Sequence, residues 1–146
     1  MNHLVALVCF LIYAFLGSDA SVPLKGDSLK LLIKNTSSFR SPIIVVAYAE
    51  EEHFLSEKGK KLTGKQIRKN DTLEFVVDKL DPGVYALVVF EDLNENGVLD
   101  QNKLGIPQEP LGFSKAKIGL FGPPSFKKAS FEFPAENYIE VQLKSF

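Results

Sequence analysis

Apolar and polar positions alternate with a period of two along much of this chain, which is the signature of half-buried strands. Leu29, Leu31 and Ile33 alternate with Lys30, Leu32 and Lys34, and Leu73, Phe75 and Val77 alternate with Thr72, Glu74, Val76 and Asp78. Pro42 to Ala49 is a continuous apolar run rich in β-branched residues and predicts a buried strand. Val84 to Phe90 (VYALVVF) is apolar on both faces, which predicts a central strand. Lys115 to Leu120 and Ala129 to Phe133 carry the pattern more faintly, and Ile139, Val141 and Leu143 alternate with Glu140, Gln142 and Lys144. No stretch predicts a long amphipathic helix. The expectation is an all-β fold, an antiparallel β-sandwich of about seven strands in which each sheet buries one face against the other.

Two segments break the rhythm. Glu50 to Asp71 is polar and places six basic residues between Lys58 and Lys69. It is expected as a solvated surface loop, with a basic patch for an acidic partner as the sharper alternative. Gln101 to Ser125 is rich in Gly and Pro but interleaved with Leu104, Ile106, Leu111, Phe113 and Phe121. A disordered linker would be poorer in large apolar groups, so a long ordered loop packed by its own side chains is expected.

The amino-terminal residues change the picture of what the fold contains. Leu4 to Leu16 is a run of 13 apolar residues without a charge. That suits the hydrophobic region of a signal peptide and is short of the twenty or so needed to span a bilayer. Ser18-Asp19-Ala20 fits small-x-small cleavage, giving a signal peptide over 1–20 and a single β-sandwich domain over 21–146. The leader lacks Lys and Arg, so a retained amino-terminal anchor stands as the alternative, and Cys9 lacks the preceding small residue of a lipidated cysteine. A secreted or periplasmic protein is expected, with no membrane span after cleavage. The chain has 1 cysteine, Cys9, so the domain itself has no disulfide and no thiol. The formal net charge of −1 falls to zero once Asp19 leaves with the leader, which gives no support to nucleic-acid binding.

Leu80-Asp81-Pro82-Gly83-Val84-Tyr85 resembles the turn before a core strand in prealbumin-like and carboxypeptidase-regulatory-like sandwiches. The stretch FEDLNENGVLDQNKLGIPQEPLGFS, followed by FGPPSFKKASF, resembles a family of exported bacterial domains of unknown function, the DUF2141 type. The resemblance runs from about Leu29 to the carboxyl terminus and implies an exported immunoglobulin/prealbumin-like sandwich without an established activity.

Glu91 to Asp100 (EDLNENGVLD) holds the candidate chemistry. With Asp92 as position one, Asn94, Asn96, Gly97, Val98 and Asp100 fall at three, five, six, seven and nine, the spacing of an EF-hand-type loop. Asp92, Asn94, Asn96 and Asp100 would offer side-chain oxygens and Val98 its carbonyl to a Ca²⁺ ion, which prefers six to eight oxygen donors. Position twelve is Lys103, where a bidentate glutamate is expected, so a further donor must come from elsewhere, with Glu109 a candidate. Two charged ligands imply weak, structural binding, on the order of 10⁻⁴–10⁻³ M. The competing reading is a metal-free hairpin with Asn96-Gly97 in a type I′ turn.

Catalysis finds little support. The domain has one histidine, His53, beside Glu50, Glu51 and Glu52 in a polar segment better read as exposed than as catalytic. A non-catalytic exported module is expected, with an unknown protein or glycan partner at the cell envelope. A carbohydrate- or peptide-binding accessory domain is the alternative. Trp is absent, however, and Tyr48, Tyr85 and Tyr138 lie on expected strands, where core packing is the simpler role. A hydrolase using loop carboxylates such as Glu109 is the third class.

Overall fold

The computed structural model describes residues 28–36, 41–120 and 122–146. The leader, its cleavage position and Phe121 lie outside the described residues. Among the described residues nine strands form two sheets: β1 (Leu29–Lys34), β2 (Ile43–Tyr48), β3 (Lys60–Leu62), β4 (Lys65–Lys69), β5 (Thr72–Val77), β6 (Gly83–Glu91), β7 (Leu111–Phe113), β8 (Ser130–Phe133) and β9 (Tyr138–Gln142). One short helix, α1, covers Phe126–Ala129. The first sheet has the order β4-β5-β1-β9 and the second β3-β2-β6-β7, with β8 also paired to β6. The all-β sandwich is as expected. Its pairing is not wholly antiparallel, because β1 and β9 run parallel, Leu31 lying opposite Ile139 and Ile33 opposite Val141.

The apolar halves of the alternating strands meet between the sheets. Leu29, Leu31, Ile33, Val45, Leu73, Phe75, Leu87, Val89, Ile139 and Val141 form this buried core. The other face of β6 is also covered. Ala86, Val88 and Phe90 pack with Tyr48, Leu111, Phe113 and Ala129 in a second cluster, closed by Phe54, Leu99, Ile118 and Phe126 from the connecting segments. Double-sided burial is why β6 is apolar at successive positions from Ala86 to Phe90. It is also the structural hub: β2 pairs along one edge, while β8 (Gly83 to Ala86) and β7 (Val88 to Phe90) succeed each other as further partners.

Both irregular segments contain strands that the residue pattern does not mark. The basic segment, expected as a solvated surface loop, contains β3 and β4. β3 lies at the edge of the second sheet and β4 at the edge of the first, and the chain crosses between sheets at Thr63-Gly64. A Cβ at Gly64 would stand 2.4 Å from the Phe75 ring, so only glycine lets the backbone cross this close to the core. Gln66 and Arg68 reach across the gap. The Gln66 amide donates to the Ile43 carbonyl at 3.1 Å, and Arg68 Nη2 donates to the Ser41 carbonyl at 3.0 Å and lies 3.5 Å from Glu91 Oε1.

The Gly/Pro-rich segment contributes β7 in place of the strand expected over Lys115 to Leu120, which is irregular. Its apolar residues divide. Leu111 and Phe113 are buried, whereas Leu104 and Leu120 are 83% and 95% exposed, so the loop does not pack on its own side chains as expected. Tyr138 is a further correction. It is 53% exposed on β9, because it sits on the outward side of the alternation. Tyr48 is buried and Tyr85 packs partly against the main core.

Candidate functional site

β6 runs out of the sheet at Glu91, whose side chain is completely buried and faces Arg68. The exit is fixed by Glu91 N–H donating to the Pro110 carbonyl at 3.0 Å and Asp92 N–H to the Pro42 carbonyl at 2.9 Å. Strand alternation then places Asp92 on the opposite side from Glu91, and its carboxylate, 2% exposed, becomes the organiser of the loop. Asp92 Oδ1 accepts Asn96 N–H at 3.1 Å and Oδ2 accepts Gly97 N–H at 2.7 Å. Two smaller side-chain turns lie inside this ring: Asn94 Oδ1 accepts Asn96 N–H at 3.2 Å, and Asn96 Oδ1 accepts Val98 N–H at 2.8 Å. The amide nitrogens of Asn94 and Asn96 both donate to one oxygen, Asp100 Oδ2, at 2.6 and 2.9 Å. Asp92, Asn94, Asn96 and Asp100 therefore belong to one hydrogen-bonded cluster, and Val98 lies on the same coil with its side chain 61% exposed.

Glu109 completes the arrangement. It is 4% exposed, and its two oxygens each hold a backbone N–H: Leu93 at 2.8 Å and Asp100 at 3.2 Å. It clips both ends of the coil together. Lys103, the residue at position twelve, is exposed on a separate turn between Gln101 and Pro107. That turn is built by the Asn102 side chain, which accepts the N–H groups of Leu104 and Ile106, with Gly105 at φ +76°. A third element touches the loop from outside: Lys61 Nζ on β3 donates to the Gly97 carbonyl at 2.5 Å.

The tight-hairpin alternative does not describe this geometry. A type I′ turn needs positive φ at Asn96 and Gly97, but the left-handed positions here are Glu95 (φ 59°) and Gly97 (φ 78°). No strand returns directly after Gly97; the antiparallel partner that follows β6 is β7, beginning at Leu111. What the residues build is a coil folded around side-chain oxygens. Glu109 stood among the sequence candidates, signalled by a lone carboxylate in an otherwise Gly/Pro-rich, apolar segment. The roles of Lys61 and Arg68 carried no such signal, since both read as part of a charge run.

His53, Glu50 and Glu52 also lie together, on a 3₁₀ turn over Glu51–His53 and its leading residue. His53 Nε2 is 3.4 Å from Glu50 Oε2, 3.5 Å from Glu52 Oε1 and 3.2 Å from Lys58 Nζ. The glutamate side chains are 63% and 75% exposed, and the lysine ammonium already faces the imidazole. No helix among the described residues is long and apolar enough to cross a membrane.

Fold and loop together define an all-β sandwich domain with an oxygen-rich coil at the exit of its central strand. Residues 32–141 match the family described as "Uncharacterized protein conserved in bacteria (DUF2141)", and the chain belongs to that family. No curated protein and no solved structure matches it.

Proposed function

We propose that this protein is an exported, non-catalytic sandwich module whose 92–100 coil holds a weakly bound, structural Ca²⁺ ion. The observation that carries the reading is the convergence of Asn94 and Asn96 on a single oxygen of Asp100, with both amide nitrogens within 2.9 Å of it. A half-turn of the two amides about their terminal torsions would exchange nitrogen for oxygen at those positions, giving up the bonds that Asn94 Oδ1 and Asn96 Oδ1 accept from the Asn96 and Val98 N–H groups, a loss that coordination of the ion has to exceed. The cluster would then be an all-oxygen pocket, which needs a cation to be stable. Asp92 and Glu109 each have one backbone N–H on each oxygen, and a carboxylate has about four acceptor sites, so both keep capacity for a hard ion. Asp92, Asn94, Asn96, the Val98 carbonyl and Asp100 would hold it, with Glu109 supplying the donor that Lys103 cannot. The ion would tie the coil to the exit of β6 and contribute no reaction step.

The hydrolase alternative would need Glu109 to meet a substrate as an acid or base, but the residue is 4% exposed. The carbohydrate alternative would use exposed rings. Among the described residues these are Tyr138 and Phe146, and Phe146 already lies under Lys144 Nζ at 5.3 Å. Calorimetry and melting curves on the domain, with calcium and then chelator, test the reading. At a dissociation constant of 10⁻⁴–10⁻³ M, 10 mM Ca²⁺ should add about 1.4 to 2.7 kcal/mol of stability. Absence of heat together with an unchanged melting temperature would overturn it.

A further inference from the structure

Away from the coil, a cleft of about 610 Å³ opens between β3 and the β5–β6 connection. Its lining includes the apolar side chains Leu62, Val77 and Tyr85 and the cations Lys58, Lys60 and Lys79. Two carboxylates, Glu50 and Asp81, share the lining, and Glu50 lies against His53. Lys60 and Lys79 are exposed and have no carboxylate partner among the described residues. The cleft therefore combines an apolar lining with surplus positive charge.

The same cleft borders an open sheet edge. β3 pairs with β2 on one side (Lys60 with Ala47, Leu62 with Val45) and has no strand on the other among the described residues. An unpaired edge offers backbone donors and acceptors to an incoming strand. This edge is held in place at both ends. A Cβ at Gly59 would meet Val46 and the Tyr48 ring at 2.4 and 2.6 Å, and one at Gly64 would meet Phe75 at 2.4 Å, so the backbone is seated directly on buried side chains. A fixed edge loses little freedom on pairing, which favours association. The lysines keep neutral strands away from such an edge but complement a negatively charged one.

We propose that this cleft binds an extended acidic peptide segment, which adds to β3 as a further strand. Backbone pairing with Lys60 to Leu62 supplies register; Lys60 and Leu62 lie on one face of β3, so the peptide side chains of that face include both a hydrophobic one for the apolar lining and acidic ones for Lys60 and Lys79. The site uses none of the oxygen donors of the 92–100 coil, which β3 touches through the Lys61 ammonium on the Gly97 carbonyl. The probe is a fluorescein-labelled Thr-Glu-Thr-Val-Thr-Glu peptide, which carries Glu, Val and Glu on one face of an extended strand, read by anisotropy at low salt. Saturable binding is expected, weakened roughly tenfold by the double variant K60E/K79E and by raised salt. Two peptides N-methylated on alternate backbone nitrogens, each blocking one strand edge, separate pairing from simple charge attraction. One should lose binding and the other keep it, and amide resonances of Lys60 to Leu62 should shift with the parent peptide. Equal binding by both methylated peptides would overturn the proposal. So would a uronic-acid polysaccharide displacing the probe with the two methylated peptides indistinguishable, or no saturation at millimolar peptide.

Discussion

Replacing Glu109 by glutamine tests the coil at its clip. The glutamate is buried, and each oxygen holds one backbone N–H, from Leu93 at 2.8 Å and Asp100 at 3.2 Å. Glutamine keeps one acceptor and turns an NH₂ donor toward the other N–H. One charge-assisted bond is lost, at about 1.5–3 kcal/mol, and a donor faces a donor in a partly buried place. Some relaxation of the coil offsets the second cost, so the expected loss is about 2–3 kcal/mol. For a domain of this size that lowers the melting temperature by roughly 10 °C and moves the urea midpoint by about 1–2 M. Glu109→Asp, too short to span both N–H groups, should lose a comparable amount. The assay is urea unfolding at 25 °C followed by circular dichroism, repeated at 10 mM Ca²⁺. A change below about 0.5 kcal/mol for Glu109→Gln would refute the clip, because an exposed carboxylate behaves that way.

Three more outcomes follow from the packing. Arg68→Ala removes the cross-sheet cation facing the fully buried Glu91 and should cost about 3 kcal/mol, with Arg68→Met/Glu91→Met recovering most of it in a double-mutant cycle by denaturation. Gly112→Ala would place a Cβ 2.7 Å from both the Gln142 carbonyl oxygen and Val141 Cγ1. It should cost about 1–3 kcal/mol and loosen β7 from β9 in hydrogen exchange. Burial raises the pKa of Tyr48, and burial followed by the Asp81 charge raises that of Tyr85. A raised phenol pKa gives stability that is complete below the unfolded-state value of about 10 and is lost as pH climbs through the folded one, so Tyr48→Phe/Tyr85→Phe should flatten the alkaline limb of a melting-temperature profile.

The strands that bury a face were legible because burial imposes alternation: β1, β2, β5, β6, β8 and β9 all stand close to where the pattern puts them. β3, β4 and β7 were not. Lys60–Leu62 and Lys65–Lys69 are edge strands whose side chains are mostly exposed, so no hydrophobic period marks them, and Leu111–Phe113 is too short to show one. Their partners, not their composition, make them strands. In the same way, the oxygen spacing of Asp92 to Asp100 is local and could be read directly, while Glu109 clipping that coil and Lys61 bracing it depend on how distant segments fold back. The parallel register of β1 with β9 is likewise a property of the closed sandwich and of neither strand alone.

That last pairing has a temporal consequence. The earliest and latest strands of the described residues lie side by side, and β6 waits for β7 and β8 before its second partners are in place. While the chain is being made, Leu29 to Lys34 has one flank open until Tyr138 to Gln142 emerges. Closure is thus the final event, governed by contacts nearly the whole length of the domain apart, and such topologies assemble slowly. Until Tyr138 to Gln142 is available, a helper that shields the apolar residues of the described strands has an open flank of Leu29 to Lys34 to cover.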